Sequence, residues 1–230
     1  MSRFQIKLRR QYIGLTLFFI LLNSVFAERL TIGGIPDSLD WQNAPEASHL
    51  DKGTELTIRS GKGTDWFVDP FDGTIHNTAP ILLFMPADDY VFSAKVKVAF
   101  STKWDAAAFM VWVDDHNWAK LSFELSPDKD PTMVTVVTRG VSDDCNSIPI
   151  SGNAVYLQIA KSGPSYVFYS SNDGKNWQVL RVFNLATDRR ARVGFESQSP
   201  AGAGTEVVFS EIRYQAKKIK DIYDYKGDGF

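Results

Sequence analysis

From residue 55 onward the chain changes character at every second residue. Val91–Phe100 reads VFSAKVKVAF, Ala107–Val113 AAFMVWV, Ala119–Leu125 AKLSFEL and Met133–Arg139 MVTVVTR. Alternation of that kind is what a strand with one buried face requires, and a helix, whose apolar positions recur about every 3.6 residues, cannot use it. Glu55–Arg59, Ile81–Phe84, Val155–Ala160, Tyr166–Ser170, Gln178–Phe183, Ala191–Glu196 and Glu206–Tyr214 read the same way. Turn chemistry separates them: DDHN at 114–117, SPDKDP at 126–131, SGP at 162–164, NDGKN at 172–176 and SPAGAG at 199–204. Many short strands joined by hairpin-length turns, with no helical periodicity after residue 27, predict an all-β domain of two antiparallel sheets packed face to face.

The N-terminus is built differently. Arg3, Lys7, Arg9 and Arg10 precede an apolar run from Ile13 to Val25 and the small residue Ala27, the charged, apolar and small order of a secretory signal. The run is short of the roughly 20 residues a spanning helix needs. Residues 1–27 are therefore expected to be a signal peptide, 28–216 the sandwich domain and 217–230 a charged tail, with the protein secreted or periplasmic and with no stable membrane span once the signal is removed. Residues 1–27 hold four of the 25 Lys and Arg and none of the 27 Asp and Glu, so the remainder carries a net charge of −6. An acidic chain with scattered cations predicts no nucleic-acid partner. Cys145 is the sole cysteine, which excludes an internal disulfide, and its neighbours Asp143 and Asp144 disfavour a reactive thiolate.

The stretch WDAAAFMVWVDDHNWAKLSFEL, Trp104 to Leu125, carries the candidate site. Alternation sets Phe109, Val111, Val113, Ala119, Leu121 and Phe123 on one face, and Met110, Trp112, Trp118, Lys120 and Glu124 on the other. DDHN closes the two strands into a hairpin, so their mixed faces lie side by side. Indole rings beside a charged pair suit a sugar, whose C–H faces stack on rings and whose hydroxyls bond to lysine and carboxylate. The same residues would also serve as a packed or solvated face of a sheet.

Several ordered segments resemble one family: TDWF (64–67), WDAAAFMVWVDDHNWAKLSFE (104–124), VVTRGVSDD (136–144), YSSNDGKNW (169–177) and RVGFESQSPAGAGTEVVF (192–209). They are similar to the regulation of enolase protein family, DUF1349, over roughly Leu39 to Tyr214. The resemblance implies a concanavalin A-like jelly-roll sandwich, of the kind that also forms the C-terminal domain of some β-xylosidases. Carried over position by position, the family motifs fall on Thr64, Asp65 and Trp66, on Trp118, Lys120 and Glu124, and on Ser142 and Asp143. The chain departs from the family pattern at Ala108 and Phe109, at Trp112, which replaces an arginine, and at Asp144, which replaces a tryptophan.

These readings give a ligand-binding set of Asp65, Trp66, Trp112, Trp118, Lys120, Glu124 and Asp143, on an exported, noncatalytic carbohydrate-binding sandwich. A glycoside hydrolase or lyase using Glu124 with a second carboxylate, Asp65 or Asp143, is the enzymatic alternative; no strand offers two acids two residues apart on one face. The family's name implies a third reading, a regulatory or scaffold protein binding another protein, although a signal sequence argues against a cytosolic target. No cofactor is expected, and no metal: His49, His76 and His116 are scattered, and the loop holding Asp128 and Asp130 lacks the glycine and terminal glutamate of a calcium loop.

Overall fold

The computed structural model describes residues 29–223, none of them helical. The expected signal peptide, residues 1–27, lies outside the described residues. Sixteen strands form two seven-stranded antiparallel sheets and one small hairpin. The first sheet runs β1 (Asp40–Gln42), β6 (Ile81–Phe84), β15 (Arg192–Gln198), β8 (Ala106–Asp114), β9 (Asn117–Leu125), β10 (Pro131–Arg139), β11 (Val141–Pro149). The second runs β14 (Gln178–Phe183), β13 (Ser165–Ser171), β12 (Ala154–Ser162), β7 (Tyr90–Val98), β16 (Glu206–Gln215), β3 (Glu55–Arg59), β2 (Ala47–Asp51). The hairpin is β4 (Trp66–Val68) with β5 (Ile75–Asn77). The architecture is an antiparallel jelly-roll sandwich, and the alternating strands of the sequence lie inside it.

The two sheets bury their smooth faces against each other. Phe109, Val111, Leu121, Phe123 and Phe195 of the first sheet meet Phe92, Val96, Leu157, Phe168 and Phe209 of the second. Phe92 stacks on Phe109 with ring centres 4.3 Å apart, and Phe195 meets Phe209 edge to face at 4.9 Å. Each such ring contributes about 2–3 kcal/mol through burial, so this layer supplies most of what opposes chain entropy.

Strands without alternation were not visible in the sequence. β11 is the clearest, since VSDDCNSIP has no apolar face; it forms because β10 offers it an edge, and most of its side chains, Cys145 among them, remain exposed. β1 and β2 are likewise short pieces that pair at sheet edges, and β4 and β5 are short pieces that pair with each other. The described part of the charged C-terminal segment lays Ile219 and Ile222 on the outer face of the second sheet, against Val91, Ala160, Val167 and Tyr169.

Candidate functional site

The outer face of the first sheet is built from register. One rung sets Gly194, Met110, Lys120, Val136 and Asp144 side by side; the next sets Glu196, Ala108, Ser122 and Val134; the third sets Gln198, Ala106, Glu124 and Thr132. Because neighbours in a rung stand about 5 Å apart, the small residues Ala106, Ala108 and Ser122 form a low floor between the longer acids and amide of β15 and those of β9. The β4–β5 hairpin and the segment before it, with Asp65 and Trp66, lie over this face.

Lys120 is at the centre, with its side chain only 3% exposed. Its Nζ donates to the Trp66 carbonyl at 2.7 Å, to Gln198 Oε1 at 2.6 Å and to Asp65 Oδ1 at 3.4 Å, and lies 3.8 Å from Glu196 Oε1. With its oxygen toward the ammonium, Gln198 turns its Nε2 to Glu124 Oε2 at 3.4 Å and to the Trp104 carbonyl at 3.2 Å. The reversed amide would set two donors against each other, so the lysine fixes the amide's orientation. Glu196 is fully buried, and neither of its oxygens receives a hydrogen bond from any described group; Ser122 Oγ is in the same position.

Burial pushes both glutamates up. Glu124 is raised to about 8 and Glu196 to about 7, in each case by loss of water, with the Lys120 charge pulling the other way less strongly. Asp144 is also raised, first by partial burial. Burial by itself would lower Lys120, but Glu196, Asp65 and Glu124 together raise it, so the ammonium stays charged. The arrangement is one fixed cation holding several carboxyl groups, two of which burial raises well above the ordinary carboxylate range.

The structure divides the sequence-derived set. Asp65, Lys120 and Glu124 do converge. Trp66 and Trp118 share their side of the sheet but are 2% and 0% exposed, so as placed they offer no ring face to a ligand. They meet edge to face at 6.2 Å, and their indole N–H groups donate to the Ala79 and Asp115 carbonyls. With Met110, Ile81, Leu83, Val134 and Val136 they form a second, smaller apolar core, on which the half-buried Trp112 packs. The reason is the β4–β5 hairpin, a cover that period-two reasoning about the sheet could not foresee. Asp143 does not join the group: it stands opposite Val137, whose side chain enters the inter-sheet core, and pairs with Arg181 at 3.1 Å. Its neighbour Asp144 takes the place on the outer face beside Val136, one residue of register being enough to change faces.

Glu196 and Gln198 were missed. The signal was present in RVGFESQ, where a core Phe195 obliges Glu196 and Gln198 to face outward together, but only the pairing of β15 with β8 shows that they face Glu124. Among the described residues no group of three or more His, Cys, Asp or Glu is placed to hold a metal ion.

Comparison with known proteins places the chain. The family model described as Protein of unknown function (DUF1349) matches residues 41–217. Regulation of enolase protein 1 of Saccharomyces cerevisiae is 26% identical over 186 residues, which is 80% of this chain and 92% of that protein. Among solved structures, a functionally unknown protein from Saccharomyces cerevisiae superposes with a TM-score of 0.72 at 24% identity, covering 78% of this chain and 96% of that one. A xylan β-1,4-xylosidase from Bacillus halodurans superposes with a TM-score of 0.59 at 17% identity, covering 77% of this chain but 38% of the xylosidase, so the likeness there is one of fold alone.

Proposed function

The chain belongs to the DUF1349 family, and on that footing we propose that it is an exported, noncatalytic β-sandwich protein that binds carbohydrate on the outer face of its first sheet. The observation that carries this reading is Glu196, a fully buried carboxyl group with no hydrogen-bond partner on either oxygen, held 3.8 Å from a buried lysine over a floor of small side chains. Such a group is costly in a purely structural role, on the order of several kcal/mol. Polyhydroxy ligands supply what the cluster lacks, hydroxyls that donate to carboxylates and accept from an ammonium. Exposed Asp144 and partly exposed Asp65 form the reachable margin, with buried Glu124 just inside it, and Lys120 with Gln198 holds Asp65 and Glu124 in place. Trp104, 38% exposed, whose carbonyl accepts from Gln198, is the aromatic residue at that margin, in place of the buried Trp66 and Trp118. Export rests on residues 1–27 of the sequence.

Calorimetric titration of the mature protein against a broad glycan panel tests the proposal. Glu124→Gln, which keeps shape and removes the acid, should weaken binding at least tenfold, and Asp143→Asn should leave it unchanged. Identical blank profiles for wild type and Glu124→Gln would end the proposal.

One observation favours a second reading. Glu124 near 8 and Glu196 near 7 in one cluster resemble the raised acid that glycoside hydrolysis or lyase chemistry uses. Two strand spacings and one two-residue step place their Cα atoms about 12 Å apart, with Ala108 and Ser122 between them in the register. Turnover of chromogenic glycosides, abolished by Glu124→Gln, would establish this reading, and its absence across xylosides, glucosides and uronides would remove it.

A further inference from the structure

The second sheet carries a hollow of its own, on the face opposite the first site. It measures about 230 Å3 and is lined in part by Tyr156, Trp177, Glu211 and Arg213. At about 30 Å3 for each water of liquid, that is room for about eight waters, the size of one sugar unit. Beside it, outside its lining, lies a buried polar side chain without a partner. Gln158 is fully buried, and neither its amide oxygen nor its amide nitrogen has a partner among the described groups. Its flanking residues Leu157 and Ile159 enter the inter-sheet core, so Gln158 faces outward. It stands beside Ser93, which lines the hollow, and two residues from Tyr156 on the same face of β12.

The walls are rigid. In the turn after β13, Asp173 accepts from Ser171 Oγ, from the backbone N–H groups of Lys175 and Asn176 and from the Asn176 side chain, all within 2.9 Å. Gly174, at φ 70°, lies so close to Tyr156 that a Cβ there would stand 2.9 Å from the ring. Opposite, the ladder between β16 and β7 slips between Ser210 and Arg213, and Glu211 takes a left-handed φ of 50°. That conformation costs a non-glycine residue about 1 kcal/mol, and its effect is to set the Glu211 carboxylate where Tyr156 Oη donates to Oε1 at 2.9 Å. Two acids, Asp173 and Glu211, balance two cations, Lys175 and Arg213, around the rim.

We propose that this hollow is a second saccharide-binding site, separate from the first and specific for one unit of a neutral sugar, with Trp177 and Tyr156 as the apolar wall and Glu211 and Arg213 as hydrogen-bonding groups. Charge balance at the rim gives no preference for an acidic sugar. Glu211 and Arg213, both exposed, offer an acceptor and a donor, which match a hydroxyl. The ring-and-polar composition matches one pyranose with its C–H face on an indole.

Mature protein carrying Glu124→Gln, which weakens the first site at least tenfold, is titrated calorimetrically with cellotetraose, xylotetraose and, as the charged control, tetragalacturonate. One binding event with a neutral tetrasaccharide should remain, weakened at least tenfold by Trp177→Ala and at least threefold by the fold-preserving Tyr156→Phe. Absence of binding to both neutral sugars, binding of tetragalacturonate alone, or affinity indifferent to Trp177→Ala and Tyr156→Phe overturns the proposal. Binding that survives Glu124→Gln unchanged and vanishes with Trp177→Ala upholds this site while removing the first.

Discussion

Along β9 the outer face carries Trp118, then Lys120, Ser122 and Glu124, all of them buried, yet the two ends of that row are stabilised in opposite ways. At the Trp118 end a dry core forms beneath the β4–β5 hairpin, where each indole needs one carbonyl for its single N–H and the rest of the ring gains from losing water. At the Glu124 end the same depth of burial encloses a lysine and two glutamates, stabilises their neutral acid forms and leaves carboxylate oxygens unpaired. Apolar burial is its own reason. Charged burial that stays incompletely bonded calls for another reason, and that contrast separates packing from a site on a single sheet face.

The largest effect expected is at the dry end. Trp118→Ala should cost about 4 kcal/mol in denaturant unfolding and nothing specific in ligand binding beyond that loss; a cost below about 1 kcal/mol would mean that the ring is not the core piece its burial implies. Lys120→Met comes next, at about 3 kcal/mol near pH 7, because the ammonium is the group that tolerates its acidic neighbours. That cost should shrink toward pH 4, where Glu124 and Glu196 are neutral in folded and unfolded chains alike; a pH-independent cost would show that the lysine acts only through its hydrogen bonds to the Trp66 carbonyl and Gln198.

The third test reads the sign of the glutamate shift. A folded value near 8 for Glu124, against an ordinary 4.5, means that the folded chain holds its proton more tightly than the unfolded chain. The stability this confers is fully present below about pH 4.5 and is lost as pH rises through 8. Glu124→Gln should flatten that decline and make the protein more stable than wild type at pH 8, by on the order of 2 kcal/mol. Equal pH profiles of thermal unfolding would contradict the burial argument. The smallest effect belongs to Asp143→Asn, whose side chain is 63% exposed and ion-paired to Arg181 at the sheet edge; it should stay within about 0.5 kcal/mol, and a larger loss would return that residue to the candidate set.

Sequence pattern located the inter-sheet core nearly residue by residue, since Phe109, Leu121, Phe123 and Phe195 must share a side once their strands are granted. It also brought Lys120 and Glu124 to one face. It misjudged Trp118 because a ring on the polar side of an alternating strand looks the same whether open to water or roofed by a distant segment, and the roof here starts more than 50 residues upstream, at Asp65; Trp66, named by the family motif, is itself part of that roof. Asp143 came from the family's serine-aspartate motif, and β11 has no alternation from which the sequence could have shown that Asp144 takes the outer face instead.

What the chain alone determined was each strand's inward side, because a two-residue period is a local property of extended backbone. What only the folded molecule decided was which outward residues would meet. Glu196 joins Lys120, and Gln158 lies beside Ser93, through pairings between segments far apart in sequence, and the depth of each is set by whatever covers that part of the sheet. Hydrogen-bond partners and water exclusion are properties of those assembled neighbourhoods, so the proton affinities of Glu124 and Glu196 emerge only there.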